Sequence, residues 1–502
     1  MTLRFGTAGL RGPVGDGPDC MNVPVVVRTT AGLAAWLEAN GQGGGTVVIG
    51  RDARTGSAEF HTAAAEVLAA AGFDVVALGK PLPTPVTAFA VRALGAVAGV
   101  QITASHNPAA DNGYKVYLAD GAQLAAPADR EIETAIDAVG AAADVPRMPV
   151  APSGDDLVDR YLARVASLPR SPHRSVRIAL TALHGVGGET AVAALRAAGF
   201  DDIHVVASQF APDPAFPTVT FPNPEEPGAT AALLALAAEV DADIALALDP
   251  DADRCAVGVP DPEGWTMLRG DETGVLLGDR ILASSPPGSL VATTIVSSTM
   301  LGRLAAARGA RYAQTLTGFK WLARAGDGLV YAYEEAIGHC VDPDAVRDKD
   351  GIATAVVVAD YAADLKQSGW TLLDALDDLH RELGVHIGDQ VSIRVDDLQR
   401  IGAVMTRLRA EPPTTLAGLT VTATDLAGSP GPMSTDALVF ESRADDPDAP
   451  DGTTVRVVVR PSGTEPKLKV YLEVVTERDR PTAEATLDAL RGWAASLGDE
   501  SP

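Results

Sequence analysis

One pattern limits what this chain can become: a short apolar strand, a polar or glycine-rich loop, a helix and a second strand, met three times. The first copy has a strand at 46–50, the loop Arg51-Asp52-Ala53-Arg54, a helix from Ser57 to about 71 closed by Gly72, and a strand at 74–78. The second runs through strand 176–180, loop 184–188, helix 189–198 and strand 203–207. The segments LAAAGFDVVAL (68–78) and LRAAGFDDIHVV (195–206) are plainly alike. A looser third copy has a strand at 290–296, Ser297-Ser298-Thr299, a helix to 307 and a strand at 311–316. Three strand–loop–helix–strand units imply three α/β domains with mainly parallel, mixed sheets. Ligands of such sheets bind at the carboxyl ends of strands, where these loops lie.

The pattern changes after a helical stretch at 372–383. Strands at 390–395, 455–459 and 468–474, with helices at 397–409 and 482–495, read as a smaller C-terminal α+β domain. The breaker-rich segment ASLPRSPHRS (166–175) is a linker, and Pro260-Asp261-Pro262-Glu263-Gly264 closes the second unit. The Pro/Asp/Gly-rich stretch 444–452 reads as an exposed loop. The expected domains are 1–167, 168–267, 268–385 and 386–502. At 502 residues the chain is in any case too long for one core.

Chemistry concentrates in the loops. A strand ending at Leu248 runs straight into Asp249, Asp251 and Asp253. Residues two apart on extended backbone point the same way, so three carboxylates converge and repel unless a cation sits among them. Oxygen-only ligands select a hard metal, Mg²⁺ before Ca²⁺. The glycine and glutamate of an EF-hand loop are missing, because Val257-Gly258-Val259 resumes a strand. The apolar run 97–102 stops at Thr103-Ala104-Ser105-His106-Asn107-Pro108, with Lys115 soon after. Ser105 offers an oxygen as nucleophile or phosphate carrier, and His106 and Lys115 offer protons or positive charge. Taken alone, the same residues build an ordinary turn.

Three further loops add to these. Phe5-Gly6-Thr7-Ala8-Gly9-Leu10-Arg11-Gly12 is a glycine-rich loop suited to lining an anion site. Arg460-Pro461-Ser462-Gly463-Thr464-Glu465-Pro466-Lys467 puts a guanidinium, hydroxyls and backbone N–H groups in one turn, which makes a phosphate cradle. In the third unit Thr317-Gly318-Phe319-Lys320 is followed by Glu334-Glu335, a carboxylate pair that suits the hydroxyls of a polyol. A hydroxyl carrier, a divalent cation site, a carboxylate pair and a phosphate cradle together suit phosphoryl transfer to or from a sugar phosphate.

Charge and cysteine usage narrow the partners. A net charge of −26 argues against nucleic acid, whose phosphates need a basic face. A small anion would then bind only where basic residues make a local positive cleft. Cys20, Cys255 and Cys340 are widely spaced, which fits a reducing compartment and neither a disulfide framework nor a zinc site. No apolar leader opens the sequence and its most apolar run, 229–248, is interrupted by Glu239, Asp241 and Asp243, so a cytoplasmic protein without a membrane partner is expected. The sequence carries no reading of oligomeric state.

FGTAGLRG, TASHNP…NGYK, DPDADR, EEAIGH and RPSGTEPK resemble, in this order, the loops of the α-D-phosphohexomutases (phosphoglucomutases and phosphomannomutases). The resemblance covers essentially the whole chain. It implies four domains around a central cleft and reversible transfer between the 1- and 6-positions of a hexose phosphate. It implies Ser105 as the phosphoryl carrier, and Mg²⁺ held by Asp249, Asp251, Asp253 and a phosphoserine oxygen. Hexose 1,6-bisphosphate would be intermediate and activator. Arg11, Lys115 and Arg254 would assist with charge, and either His106 or Lys115 would be the general acid/base. Substrate contacts would come from Lys320, Glu334, Glu335 and His339, and from Arg460, Ser462, Gly463, Thr464 and Lys469. The Glu-Glu-Ala-Ile-Gly form, with Gly-Phe-Lys-Trp upstream and Arg-Asp-Lys-Asp-Gly downstream, looks more like the branch containing phosphoglucomutase-2 and phosphopentomutase. Glucose or mannose phosphate is expected first and a pentose phosphate second. A metal-dependent sugar-phosphate phosphatase and a non-catalytic sugar-phosphate sensor are the rival readings.

Overall fold

The computed structural model describes residues 3–6, 9–395, 398–429, 433–443, 452–462 and 467–499. Among these residues the strands form four sheets. The first sheet runs, edge to edge, Phe5–Gly6, Gly9–Pro13, Asp111–Leu118, Ala98–Ile102, Thr46–Arg51 and Asp74–Ala77. Thr46–Arg51 pairs parallel with both Asp74–Ala77 and Ala98–Ile102, whereas Ala98–Ile102 pairs antiparallel with Asp111–Leu118. The switch has a simple cause. Parallel neighbours need a long crossover, and only eight residues separate these two strands, so the chain must turn back.

The same turn-back recurs in the next two sheets. Ile244–Leu248, parallel to Ile178–Thr181, returns antiparallel as Cys255–Asp261. Leu329–Glu334, parallel to Leu290–Thr294, returns antiparallel as Gly338–Cys340. The three turns hold Ser105, the three aspartates, and Glu335 respectively. Each unit therefore offers its chemistry at an equivalent place, the carboxyl end of a strand.

The fourth sheet, Val385–Arg394, Lys467–Thr476, Thr454–Pro461, Leu438–Ser442, Leu419–Asp425 and Thr415–Leu416, is antiparallel throughout. Helices Leu398–Ala410 and Arg480–Asp499 cover it, with Met405, Leu487 and Leu490 packed on Val457 and Leu472. The strands Leu419–Asp425 and Leu438–Ser442 have no counterpart in the sequence-based expectation. Residues 444–451 of the expected exposed loop lie outside the described residues.

The apolar cores do not divide evenly. Phe89 and Tyr161, Leu180 and Leu248, Tyr331 and Val356 belong to one continuous buried cluster that passes through the first three sheets. The buried helix Gly351–Gln367 runs through it. The fourth sheet keeps its own core around Phe440, Val457 and Leu472. It meets the third through a small patch in which Ile295 and Val296 face Val439, Val458 and Tyr471. Among the described residues, no helix is long and apolar enough to cross a membrane.

Candidate active-site cleft

The carboxyl ends of the first three sheets and the fourth sheet's own turn open onto a cleft of about 1020 Å³. Arg11, Ser105, His106, Asp253, Arg254, Glu334, Glu335, Arg460, Ser462 and Lys469 all line it. Gly463 and Thr464 lie outside the described residues.

Ser105 is buried and sits at φ 52°, in the left-handed region. Its Oγ donates to Asp249 Oδ2 at 2.9 Å and lies 3.2 Å from His106 Nδ1. His106 is held neutral: burial pushes its pKa well below the usual histidine value, and the Arg254 and Arg11 guanidiniums push the same way. Arg11 Nη1 donates to Asn107 Oδ1 at 3.1 Å, which fixes the guanidinium on the serine loop.

The three aspartates converge as the alternation of an extended strand end requires, with one oxygen of each within 4.8 Å of the others. All three are buried. The backbone N–H of Arg254 donates to Asp249 Oδ1, and Lys115 Nζ donates to Asp251 Oδ2 at 2.8 Å and Asp253 Oδ2 at 2.6 Å. Burial opposes the charge on Lys115, but Asp251 and Asp253 more than offset it and hold its pKa above the usual lysine value. Burial, then the charges of Asp251 and Asp253, drive Asp249 well above the carboxylate range. Asp251 Oδ1 and Asp253 Oδ1 are buried with no hydrogen-bond partner. Oxygen-only donors, closely converged and with two oxygens unclaimed, fit a hard divalent cation.

Lys349 and Thr84 complete this cluster, and neither was a sequence-based candidate. Lys349 Nζ lies 3.2 Å from Asp253 Oδ2 and 3.2 Å from Asp348 Oδ1. Thr84, the first residue of helix Thr84–Leu94, donates through Oγ1 to Asp251 Oδ2 at 2.6 Å and through its N–H to Asp251 O at 2.9 Å. The motif Arg-Asp-Lys-Asp-Gly was a signal for Lys349, because a lysine between two aspartates at a helix start is unusual company for a surface cation. Nothing local marks Thr84.

The carboxylate pair is split in role. Glu334 Oε1 lies 3.5 Å from Arg254 Nη2, and burial raises its pKa against the pull of Lys349 and Arg254. Glu335 Oε2 instead accepts from Thr294 Oγ1 and Ser297 Oγ at 3.2 and 3.3 Å. From the second unit, Asn223 and Glu225 also reach the cleft, on a long loop the sequence did not single out.

Two expected substrate contacts fall elsewhere. His339 is fully buried, with Nδ1 3.0 Å from Tyr331 Oη and its ring stacked on the Tyr331 ring; it does not line the cleft. Its cross-strand partner is Tyr333, and directly opposed residues share a face, so His339 points into the core while Glu334 points out. Lys320 stands with its Nζ 5.9 Å from the centre of the Trp321 ring and likewise does not line the cleft. Phe319 and Leu322 are the buried face of that short helix, and Lys320, half-buried, stands to one side of it.

Three α/β sheets and an antiparallel α+β unit around one cationic, carboxylate-bearing cleft define an architecture for handling a small phosphorylated polyol. The chain matches all four phosphoglucomutase/phosphomannomutase models: α/β/α domain I at residues 2–142, domain II at 159–264, domain III at 269–380 and the C-terminal domain at 394–485. It is 42% identical over 462 residues to a protein of Haemophilus influenzae named "Probable phosphomannomutase", spanning 90% of this chain and 93% of that one. It is 34% identical over 505 residues to a phosphoglucomutase of Staphylococcus aureus, spanning 94% and 89%. A phosphoglucomutase/phosphomannomutase family protein of Burkholderia thailandensis has the same fold at TM-score 0.75 and 21% identity, over 100% and 99% of the two chains. This chain belongs to the phosphoglucomutase/phosphomannomutase family.

Proposed function

We propose that this protein interconverts hexose 1-phosphate and hexose 6-phosphate, glucose or mannose, with Ser105 carrying the phosphoryl group. The observation that carries this reading is Ser105 Oγ held 2.9 Å from Asp249 on the wall of a cleft lined by Arg11, Arg254, Arg460 and Lys469. A phosphorylated Ser105 passes its phosphoryl group to the free hydroxyl of a sugar monophosphate. The resulting hexose 1,6-bisphosphate turns over in the cleft and returns its other phosphoryl group to Ser105. A P–O bond breaks for each one formed, so no phosphate is released.

Asp249, Asp251 and Asp253 would hold Mg²⁺, which supplies charge neutralisation at the transferring group when bound. Lys115, kept protonated by two aspartates, contributes fixed positive charge behind that point. Neutral His106, with Nδ1 3.2 Å from Ser105 Oγ, is the nitrogen base beside the serine, whose hydroxyl donates to Asp249 at 2.9 Å. Glu334 and Glu335 grip sugar hydroxyls, and Arg460, Ser462 and Lys469 receive the phosphate that is not reacting. The curated relatives are named for mannose and glucose phosphates, so the pentose phosphate reading is not favoured.

The test is a coupled assay with glucose 1-phosphate, mannose 1-phosphate and ribose 1-phosphate, given Mg²⁺ and a trace of hexose 1,6-bisphosphate. Ser105→Ala should lose at least about a thousandfold in kcat and carry no phosphoryl group by intact mass. Near-normal turnover by that variant would sink the phosphoserine mechanism, and release of inorganic phosphate would favour a phosphatase.

A further inference from the structure

We propose that Arg54, in the loop after strand Thr46–Arg51, is a positioning residue that holds the Ser105 loop in its phosphoryl-carrying conformation, with Phe216 of the second unit clamping it from above. This rests on the reading of Ser105 as the carrier.

The guanidinium is almost wholly buried and works as a hub for carbonyls. Nη2 donates to Ser105 O and Asn107 O, both at 2.6 Å, and Nη1 donates to Pro108 O at 2.8 Å and Asp111 O at 3.2 Å. Four carbonyls of one turn thus point at one cation. A non-glycine residue does not hold φ 52° by its own preference, so something outside the turn must keep Ser105 there. Arg54 supplies it, by drawing in the carbonyl that the left-handed conformation turns inward. Only a planar fork reaches carbonyls on two sides at once; an ammonium has its donors on one atom.

The hub is itself fixed. Asp52 Oδ2 lies 3.4 Å from Arg54 Nε, and Asp52 Oδ1 accepts from the Arg54 backbone N–H at 2.9 Å and from Ser57 Oγ at 2.5 Å. Above it stands the Phe216 ring, 5.0 Å from the guanidinium carbon, and Phe216 too has a left-handed backbone, φ 46°. Phe216 belongs to the long loop of the second unit, whose next strand ends in the three aspartates. The clamp therefore joins the segment bearing Ser105 to the unit bearing its metal site. The clamp adds to the bonds that Thr84 and Lys115 make to Asp251 and Asp253, and it is the tie that acts on the Ser105 turn itself, which faces Asp249.

The test uses the full-length protein with Arg54→Lys and Phe216→Leu. Amide hydrogen exchange of residues 103–111 in Arg54→Lys should quicken by about a hundredfold, with helix Ser57–Ala70 and strand Thr46–Arg51 unchanged. Its kcat should fall by about a hundredfold and its KM stay within about threefold, the signature of a misplaced reacting group. Phe216→Leu removes no hydrogen bond and should quicken the same segment by about three- to tenfold. Unchanged exchange at 103–111, or protection lost equally across the first sheet, would overturn the proposal; if Arg54→Lys does not fold, unchanged exchange in Phe216→Leu does so alone. A wild-type protein that binds hexose phosphates without turning them over, yet shows this exchange pattern, would sink the mutase reading and leave the clamp standing.

Discussion

At the scale of single residues, the cleft works by crowding charges that would otherwise repel. Asp251 and Asp253 face Lys115, Asp253 also faces Lys349, and Thr84 supplies a neutral donor to Asp251. A hydroxyl that orients a ligating carboxylate typically sets metal affinity within about ten- to a hundredfold. Thr84→Val keeps the backbone bond from residue 84 to Asp251 O and deletes only the Oγ1 bond. Titration calorimetry with Mg²⁺ or Mn²⁺ should show affinity weakened by about tenfold or more, with the melting temperature of the metal-free protein nearly unchanged. Equal affinity in variant and parent would rule out a role for Thr84 in holding the site.

At the scale of elements, one close contact and one buried ring bear on where the Glu335 turn sits. A methyl group on Gly270, at the start of helix Gly270–Leu282, would run into the carbonyl oxygen of Glu335. Gly270→Ala should therefore cost about 1–3 kcal/mol of stability and raise KM for the sugar phosphate, because the Glu335 turn must shift. A KM equal to that of the parent would show that the turn is not set there. Behind the same strand, burial depresses the pKa of His339 to about 3 from an ordinary 6.5. Above pH 6.5 both folded and unfolded chains carry the neutral ring. As pH falls below 6.5 the unfolded chain takes up a proton that the folded chain refuses, so stability is lost toward pH 3. Between pH 7 and 5 the parent should lose about 2 kcal/mol more than His339→Phe, read by chemical unfolding at each pH. His61 and His380 are depressed in the same direction in both proteins, so the difference isolates His339.

Elements also show why some of the site is legible from residues in a row and some is not. The aspartates declare themselves because their convergence is a property of one strand end, and Ser105 because its turn is contiguous. The inward face of His339 depends on pairing with Tyr333, and the sideways placement of Lys320 on a four-residue helix, so neither direction is set by the motif around it. Lys349 and Thr84 reach the aspartates from 96 positions after Asp253 and 167 before Asp251. No local pattern encodes that. The repeats, by contrast, are written in apolar spacing, and the three α/β sheets follow from it. In the fourth sheet, Leu419–Asp425 buries only Leu419 and Val421 before turning to solvent, too weak an alternation to announce a strand.

For the whole molecule, the division of the core matters most. The first three sheets share one apolar cluster, the first also packing its other face in a core around Val26, Leu33 and Phe60, while the fourth has a core of its own and rests on a small patch reinforced by polar ties. Glu473 Oε1 accepts from Ser298 Oγ at 2.6 Å and Thr299 N at 2.8 Å, and Arg303 Nη1 donates to Leu383 O at the connection. Separate cores unfold separately when little apolar surface joins them. Scanning calorimetry of the ligand-free protein should resolve two transitions, the lower one belonging to the fourth unit. Hexose 1,6-bisphosphate at about a hundred times its Kd adds about 2.7 kcal/mol to whatever it bridges, so the lower transition should move up toward the higher. One transition without ligand would mean the four units melt together.

The shared core also bears on how freely this architecture can be rearranged. Repetition usually leaves copies separable: a solenoid tolerates the loss of a repeat because each touches only its neighbours through equivalent faces. Here the three copies have grown into one another, with Phe89 and Tyr161, Leu248, and Tyr331 in a single buried cluster. Deleting any one of them would bare apolar surface on the other two, so the triplet can be inherited or lost only as a block. The fourth unit is tied in only through the small patch around Ile295, Val296, Val439 and Val458. It is the part of the molecule that lineage or laboratory can exchange, and with it the Arg460, Ser462 and Lys469 side of the cleft.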